Sequence, residues 1–423
     1  MVQLKDDCFT AGDGLMPLAE GIALLADRLS PVTGIETVAI REAQGRVLAA
    51  DVVAGRDVPP HDNSAVDGFA VFFDDLDGGG ETRLRVTGRS AAGHPMGAPA
   101  RRREAVRIFT GAPMPEGADT VFMQEDCRID GDHVILPPGI KRGANRRFKG
   151  EDVKKGSTII KRGKLLRPQE VGLAASVGCS ELTVYQRLGV AVFSTGDEVF
   201  DPTDGTTGGG AAEGGIFDAN RYTVMGLLEG LGCAVSDIGI LPDDEAAIGK
   251  ALAPAAAAHD LLVTSGGVSV GEEDHVKAAV EALGQLHFWR LAIKPGRPIA
   301  LGRVGETTFV GLPGNPVAAM VTFMRIARPV VLLLSGRTDI EPPLYRLRAD
   351  FAHNKKIGRR EWLRARLVRD GRGELAAVKY PGGGSGILSS MVEADGLVEL
   401  GEEQGSVNKG EMVDFLPFSE VSS

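Results

Sequence analysis

The sequence has few cysteines and no long apolar run, and both absences restrict the kind of protein it can be. The four cysteines, Cys8, Cys127, Cys179 and Cys233, are far apart and form no CxxC pair, which argues against a disulfide framework or a zinc site. No apolar stretch approaches the ~18–20 residues that a membrane-spanning helix needs. The N-terminus lacks a basic region followed by an apolar core. We therefore expect a cytoplasmic protein that does not enter a membrane.

The chain also lacks an excess of positive charge and the common catalytic signatures. Its net charge of −10 and pI near 5.4 count against general nucleic-acid binding. There is no GxxxxGK[ST] loop, no GxSxG elbow and no HExxH motif. These absences exclude the P-loop, serine-hydrolase and zincin signatures from consideration.

The 423 residues exceed what one hydrophobic core usually supports, so we expect several domains in a multidomain α/β protein. Residues 182–336 alternate strand and helix patterns, which predicts βαβ units on a mostly parallel sheet. Residues 51–151 consist of short alternating runs separated by Pro and Gly, which predicts a β-rich inserted domain. The insert interrupts a mixed N-terminal domain made of residues 15–50 and 152–181. Residues 337–418 predict a small C-terminal domain resembling a β-barrel.

The most informative segment is LLVTSGGVSVGEEDH at residues 261–275. An apolar strand ends at Gly266 and Gly267, whose backbone can approach a ligand closely and direct amides at phosphate oxygens. Carboxylates follow at once and offer the hard oxygen ligands that Mg²⁺ prefers. They are Glu272, Glu273 and Asp274.

Two more glycine and proline turns follow strand-like runs, IKPGRP at 293–298 and GLPGNP at 311–316. Ligands bind beyond the carboxyl ends of parallel strands, so these turns are candidates for one site. Lys294 and Arg297 could neutralise an oxyanion there. Other strands of the same domain are followed by further polar groups, although each acidic pair is explained equally well as a helix cap. These groups are Asp197 with Glu198, Asn220 with Arg221, and Asp243 with Asp244.

The predicted insert contains a second set of polar turns. Asp62 and Asp67 lie in DVPPHDNSAVDGFAV, where ordinary turn chemistry is the simpler interpretation. Thr110 precedes a glycine and two prolines in IFTGAPMPEGADTV. Arg146 and Arg147 precede Asp152 in NRRFKGED, which again combines anion-binding groups with a carboxylate.

Together these segments resemble the motifs of the molybdopterin molybdenumtransferase family, whose eukaryotic relative forms the C-terminal part of gephyrin. The resemblance covers residues from about 15 to 418 and includes nine motifs in the family's order. They are PPHDNSAVDGFAV, FTGAPMPEGADTV, RRFKGEDV, FSTGDEV, IFDANRY, LPDD, TSGGVSVGEEDH, LAIKPGRP and GLPGNP. The sequence departs from the family at His61 and Val66, and at Arg297, where lysine is frequent. Arg297 keeps the charge but changes the geometry of an oxyanion contact.

The resemblance implies a four-domain homodimer in which the α/β domain of one subunit faces the insert of the other. It implies that molybdenum from molybdate enters adenylylated molybdopterin, with Mg²⁺ required and AMP released. An adenylyltransferase partner and molybdoenzyme chaperones are further expected partners. Lys294 and Arg297 would receive molybdate, while Asp62 and Asp152 would complete the site from the second subunit.

The site residues that the resemblance implies fall into three groups. The expected catalytic residues are Asp62, Thr110, Asp152, Glu198, Asp274, Lys294 and Arg297. The expected cofactor-binding residues are Asn220, Thr264, Ser265, Gly266, Gly267, Ser269, Gly271, Pro313, Gly314, Asn315 and Pro316. The expected metal ligands are Glu198, Asp243, Asp244 and Asp274.

Two other functions are compatible with the same residues. The chain could be a molybdopterin adenylyltransferase, which would consume ATP without molybdate. It could instead be a non-catalytic scaffold of the gephyrin type that binds a peptide. A pure scaffold, however, would have no need for the acidic cluster and the basic turn. A further alternative is a protein that binds an anion without turnover.

Overall fold

The computed structural model describes residues 15–203, 214–267, 275–296, 299–371 and 373–422. The elements before the insert are α1 (Leu18–Arg28), β1 (Ile35–Ala39) and β2 (Val52–Val53). The insert contributes β3 (Asn63–Ser64), β4 (Gly68–Val71), β5 (Thr82–Ser90), β6 (Glu104–Ile108), β7 (Thr120–Met123), β8 (Arg128–Asp130), β9 (His133–Leu136) and β10 (Arg146–Arg147). The chain returns through β11 (Thr158–Ile160), α2 (Pro168–Ser176) and β12 (Glu181–Tyr185).

Pairing between the two flanks of the insert joins them into one unit. Strand β1 pairs antiparallel with β12, and β2 pairs antiparallel with β11. Val38 and Leu48 from the first flank share a buried cluster with Leu166 and Val184 from the second. Helix α1, which the sequence analysis grouped with this unit, packs instead into the core of the α/β region that follows.

The insert forms a six-stranded sheet in the order β7-β4-β6-β5-β9-β8. Strands β5 and β6 run parallel and the other neighbours run antiparallel. Alternate residues of β4 enter two separate clusters, since Phe69 packs on one face and Ala70 on the other. The short ladder of β3 and β10 pairs Asn63 with Arg147 and Ser64 with Arg146, which brings the two polar turns of the insert together.

The α/β region contains the largest core. Its first elements are β13 (Gly189–Thr195), β14 (Val199–Phe200), β15 (Ile216–Phe217), α3 (Asn220–Gly230), β16 (Ala234–Leu241), α4 (Glu245–Ala258) and β17 (Leu261–Ser265). They are followed by α5 (His275–Leu283), β18 (Gly284–Trp289), β19 (Ile293–Lys294), β20 (Ile299–Val304), β21 (Thr307–Leu312), α6 (Pro316–Thr322) and α7 (Arg328–Leu334).

The sheet of this region has the order β16-β13-β17-β21-β20-β18. The first four strands are parallel neighbours, and β20 runs antiparallel to both β21 and β18. Separate buried clusters cover the two faces, with α4 and α5 residues on one and α1, α3, α6 and α7 residues on the other. The parallel strands therefore bring the turns after β13, β17 and β21 to one edge.

One helix, Pro316–Leu334, comprises α6, a π-helical turn at Phe323–Ala327 and α7. Among the described residues it alone is long and apolar enough to cross a membrane, with a mean hydropathy of 1.9. However, 83% of its most apolar window is buried inside the protein. Its composition is therefore that of a core helix.

The C-terminal region is a closed barrel of five strands. Its elements are β22 (Tyr345–Ala349), β23 (His353–Asn354), β24 (Arg360–Arg369), β25 (Leu375–Lys379), α8 (Ser389–Glu393), β26 (Gly396–Leu400), β27 (Ser406–Val407) and β28 (Met412–Pro417). The pairing of β24 with β26 closes the ring β24-β25-β22-β28-β26. Strand β19 adds to β24 in parallel, with Lys294 opposite Glu361, so the IKPGRP turn lies against the barrel.

Candidate active site

A cavity of about 150 Å³, here called the crevice, lies at the carboxyl ends of β13 and β17. Its walls come from four turns of the α/β region and from the short ribbon of β14 and β15. The lining residues are Ser194, Thr195, Glu198, Val199, Ile216, Phe217, Asp218, Ala219, Asn220, Ser265, Gly266, Gly314 and Pro316.

Asn220, the first residue of α3, joins the turns that form the crevice. Its amide Nδ2 donates to Ser265 Oγ at 2.9 Å and to the Gly314 carbonyl at 2.7 Å. Ser265 Oγ in turn donates to the Pro313 carbonyl at 3.0 Å. The structure thus brings together predicted cofactor-binding residues from three separate segments.

The glycine pair after β17 has the backbone that its sequence predicts. Gly266 and Gly267 have φ angles of +90° and +62°, a region that residues with side chains rarely adopt. A Cβ atom at Gly267 would also clash with Thr195 and Val276. Glycine at both positions therefore allows the turn after β17 to pack directly against the end of β13.

Two buried hydroxyls near the crevice are left without a hydrogen-bond partner. Ser194, in the crevice wall, and Thr264, the residue before Ser265, are 2% and 0% exposed. Neither hydroxyl oxygen has a partner within the part of the chain that the structure describes. Orphan buried hydroxyls are uncommon, so this edge has spare polar groups for a ligand or water.

Arg221 fixes the ribbon that forms one wall. Its guanidinium, 1% exposed, pairs with the carboxylates of Asp201, Asp218 and Asp237. Burial lowers the pKa of Arg221, but the hydrogen bonds to these carboxylates raise it more, so it stays above its ordinary value. Asp201 follows β14 and Asp218 follows β15, so one side chain ties both strands to the start of α3.

Of the predicted metal ligands that the structure describes, one lies in the crevice wall. Glu198 lines the crevice, whereas Asp243 and Asp244 do not. Asp244 is the N-cap of α4, and its Oδ1 accepts from the Ala247 N–H at 2.8 Å. Across residues 15–422 apart from the undescribed gaps, no three His, Cys, Asp or Glu side chains could hold a metal ion. Four predicted site residues lie outside the described residues, namely Ser269, Gly271, Asp274 and Arg297.

A second cavity, of about 80 Å³, contains Lys294 and is called here the Lys294 cavity. Lys294 Nζ donates to the buried Glu361 carboxylate at 2.7 Å and remains 48% exposed. His353 Nε2 lies 3.3 Å from the same oxygen, and its Nδ1 is 3.2 Å from Lys379 Nζ. The lining residues are Lys294, Pro295, His353, Glu361, Trp362, Leu363, Arg364, Lys379, Tyr380, Gly382 and Gly383.

The Lys294 cavity carries a net positive charge. Burial, with the neighbouring Lys379 ammonium, lowers the pKa of His353 below its usual value, so the imidazole is neutral at pH 7. Lys294, Lys379 and Arg364 then stand against the single carboxylate of Glu361, which leaves a formal charge of +2. This positive charge suits the binding of a small oxyanion.

Helix α6 connects the two cavities. It begins at Pro316 in the crevice, and its Val317 N–H donates to the Ser385 carbonyl at 3.0 Å, just beyond Gly383 in the Lys294 cavity. At its other end, Thr322 packs against Gly296, two residues after Lys294. The six helical steps from Pro316 to Thr322 span roughly 9 Å. The two cavities are thus neighbours along a rigid element.

The predicted residues of the insert form their own hydrogen-bonded cluster. Asp62 accepts from the Lys149 N–H at 2.7 Å and pairs with Arg146. Burial raises the pKa of Asp62, but the hydrogen bond from Lys149 and the ion pair with Arg146 lower it by a larger amount. The pKa of Asp62 therefore lies below its usual value. Thr110 donates its N–H and its hydroxyl to Asp67, each at 2.8 Å. Asp152 is exposed.

No sequence motif indicated the barrel side of the Lys294 cavity. His353, Glu361, Arg364 and Lys379 all lie on strands or strand ends that were interpreted only as barrel structure. A usable signal was present, because Glu361 and Arg364 interrupt the apolar run EWLRARLV with charges at positions that became buried.

Three models of known protein families together match most of the chain. Residues 16–178 match the MoeA N-terminal region (domain I and II), residues 191–332 a probable molybdopterin binding domain, and residues 346–418 the MoeA C-terminal region (domain IV). A molybdopterin molybdenumtransferase of Haemophilus influenzae is 39% identical over 412 residues, which are 96% of this chain and all of that protein. One from Nostoc is 33% identical over 410 residues, covering 93% of this chain and 91% of the relative.

A solved structure agrees with these sequence matches. The molybdopterin biosynthesis moeA protein of Pyrococcus horikoshii superposes with a TM-score of 0.80 at 29% identity, over 95% of this chain and 99% of that one. The predicted fold class, a parallel-sheet domain with a β-rich insert and a terminal barrel, is confirmed. The chain belongs to the MoeA family of molybdopterin molybdenumtransferases.

Proposed function

We propose that this protein inserts molybdenum from molybdate into adenylylated molybdopterin and releases AMP, in the cytoplasm and as a homodimer. The observation that carries the proposal is the pairing of a glycine-lined crevice with a cationic cavity, both of which lie close to α6. The crevice would hold the phosphorylated pterin, and the Lys294 cavity would hold molybdate. The relatives named above support the reaction class.

In the crevice, backbone groups bind and orient the substrate. The turn at Gly266 and Gly267 allows phosphate oxygens to approach the main chain closely. The buried hydroxyl of Ser194, in the crevice wall, offers a further hydrogen bond. Asn220 keeps the two neighbouring turns at a fixed spacing, which preorganises the site.

In the Lys294 cavity, the side chains bind the oxyanion. The formal charge of +2 attracts an oxyanion, and the Lys294 ammonium is exposed enough to reach it. Arg297 is proposed as a second cation, although it lies outside the described residues.

Magnesium fits the crevice as an ion held mainly by the substrate. Mg²⁺ commonly takes only one or two protein carboxylates and completes its shell with phosphates and water. Glu198 is the described carboxylate in the crevice wall besides Asp218, which Arg221 occupies. When bound, the ion would neutralise charge on the substrate phosphates. Asp243, Asp244 and Asp274 stay as predicted additional ligands.

The insert of the second subunit would complete the site. Asp62 and Thr110 make their hydrogen bonds within the insert itself, so this cluster is a preformed surface. Asp152 is exposed beside it and free to face a crevice in another chain. These three residues remain predicted contributors to catalysis from the partner.

The reaction is tested by incubating the purified protein with adenylylated molybdopterin, Mg²⁺ and graded molybdate while measuring AMP. The proposal predicts AMP release that rises with molybdate and saturates. ATP consumption without molybdate would instead identify an adenylyltransferase. No AMP at any molybdate concentration would contradict turnover and favour a binding protein or scaffold.

Replacing Lys294 tests the molybdate assignment. The Lys294→Ala variant removes a charge-assisted hydrogen bond, worth about 1.5–3 kcal/mol, so half-saturation by molybdate should rise about 10- to 100-fold. The measurement is the molybdate dependence of AMP release. Lys250→Ala, an exposed lysine on α4, is the matched control and should leave it unchanged. An unaltered molybdate dependence in Lys294→Ala would remove Lys294 from the site.

A further inference from the structure

Glu361 is an unexpected residue in the wall of a cavity for an anion. The residue is 2% exposed, and its Oε1 accepts from Lys294 and His353. Its other oxygen, Oε2, is buried and has no hydrogen-bond partner in the described part of the chain. Burying an acceptor without a donor is costly, so a ligand that brings a donor to this oxygen would be favoured.

Several surrounding donors are directed at other acceptors, although the buried Nε of Arg364 has no partner among the described residues. Lys379 Nζ can only donate, so His353 Nδ1 accepts, and the proton on Nε2 is directed at Glu361 Oε1. Arg364 Nη2 donates to the Gly382 carbonyl at 2.8 Å. Lys355 Nζ donates to main-chain carbonyls, including that of Arg359 at 2.7 Å. The charged or titratable groups around Glu361 are Lys294, His353, Lys355, Arg364, Lys379 and Tyr380.

A buried carboxylate discriminates between oxyanions that carry a proton and those that do not. It repels a fully deprotonated dianion, but it accepts a hydrogen bond from an oxyanion that carries a hydroxyl group. Sulfate and molybdate have the same charge and tetrahedral shape, but molybdate is the stronger base and takes up a proton more readily. A site with an unpaired acceptor therefore favours molybdate over sulfate.

We propose that Glu361 is a specificity-determining residue of the Lys294 cavity, whose Oε2 accepts a hydrogen bond from protonated molybdate and thereby rejects sulfate. The inference rests on the proposed binding of molybdate beside Lys294. Binding takes one proton from solvent, converting the dianion to a bound hydrogen molybdate monoanion without any change in oxidation state.

Isothermal titration of the full chain with molybdate and with sulfate at pH 7.5 tests the proposal. Wild type should prefer molybdate, and in Glu361→Gln the ratio of the two affinities should fall at least about tenfold. The ratio of the molybdate and sulfate affinities is the decisive quantity. The substitution also releases Lys294 from its ion pair with Glu361, which strengthens the binding of both anions alike. A folded Glu361→Gln variant with an unchanged ratio would overturn the proposal.

Proton uptake gives a second test that needs no variant at Glu361. Binding enthalpies measured in two buffers of different ionisation enthalpy should reveal uptake of about one proton with molybdate and none with sulfate. His353→Gln is the control, and it should retain the uptake, since the proton resides on the ligand. Equal uptake with both anions, or loss of uptake in His353→Gln, would overturn the proposal. Wild type that binds neither anion would contradict the proposed function as well.

Discussion

Arg221 holds several structural elements together near the crevice. Its planar guanidinium offers five donors in a fixed arrangement, which suits three carboxylates approaching from different directions. These come from the end of β14, the end of β15 and the middle of β16. The adjacent Asn220 therefore meets Ser265 and Gly314 from a constrained helix start. Arg221 supports the crevice without lining it.

Asp201 should make the stability of this region sensitive to acid. Hydrogen bonds from the Thr203 hydroxyl and N–H, and then from Tyr222 and Arg221, hold the pKa of Asp201 far below its usual value. The carboxylate therefore stabilises the fold fully above about pH 4, and this contribution is lost as the pH falls toward the lowered pKa. Asp201→Asn should be less stable than wild type at pH 7, with a difference that shrinks below pH 4.

Urea unfolding at pH 7 and at pH 3 measures that difference. Glu281→Gln, which changes an exposed carboxylate on α5, should follow the pH dependence of wild type. An Asp201→Asn deficit as large at pH 3 as at pH 7 would show that the ionised carboxylate is not the source.

At the residue scale, local motifs predicted one cavity and missed half of the other. Asn220, Ser265 and Gly314 could be placed at one edge because each follows a predicted strand or starts a helix. His353, on β23, and Glu361 could not, since Glu361 meets Lys294 only through the pairing of β19 with β24. That contact joins residues 67 positions apart, and no short motif encodes it.

Among the elements, α4 shows why an acidic pair after a strand is ambiguous. The sequence LPDD allowed both a metal site and a helix cap. The structure gives Asp244 a cap, because its carboxylate accepts from the N–H three residues later. The cap engages one oxygen of the residue, and the metal assignment of the pair stays a prediction.

Substitutions at Asp244 measure the cap directly. Asp244→Ala should lower the free energy of unfolding by about 1 kcal/mol, because the Ala247 N–H loses its acceptor. Asp244→Asn should be close to wild type, since asparagine caps equally well. Chemical denaturation of the three proteins gives the comparison. Equal losses in both variants would indicate a role for charge rather than for capping.

The element pattern predicted the sheet but not every strand direction. Alternating strands and helices indicated parallel βαβ units, and β13, β16, β17 and β21 are parallel neighbours. Strand β20 is antiparallel because only the two residues between Val304 and Thr307 separate it from β21, too few for a crossover helix. Helix α1 packs on the α/β core because its buried residues, Leu18 and Leu25, complete that apolar surface.

For the whole molecule, the proposed reaction needs groups that belong to distant parts of the chain. The crevice and the Lys294 cavity share α6. Asp62 and Thr110 instead make their bonds within the insert. A symmetric dimer can bring the insert of one subunit to the crevice of the other, which creates two equivalent composite sites. Motifs indicated the family, and the resemblance implied that the second subunit supplies Asp62 and Asp152, which stays a prediction.

A site shared between subunits is tested most directly by mixing Asp62→Asn in the insert with Lys294→Ala in the cavity, at a low molybdate concentration where each variant alone is nearly inactive. After equal amounts are unfolded and refolded together, half of the dimers carry one of each subunit, and each such dimer has one unaltered composite site. Molybdate-dependent AMP release should then recover to about a quarter of the wild-type rate. A mixture as inactive as its two components would contradict a site shared between subunits.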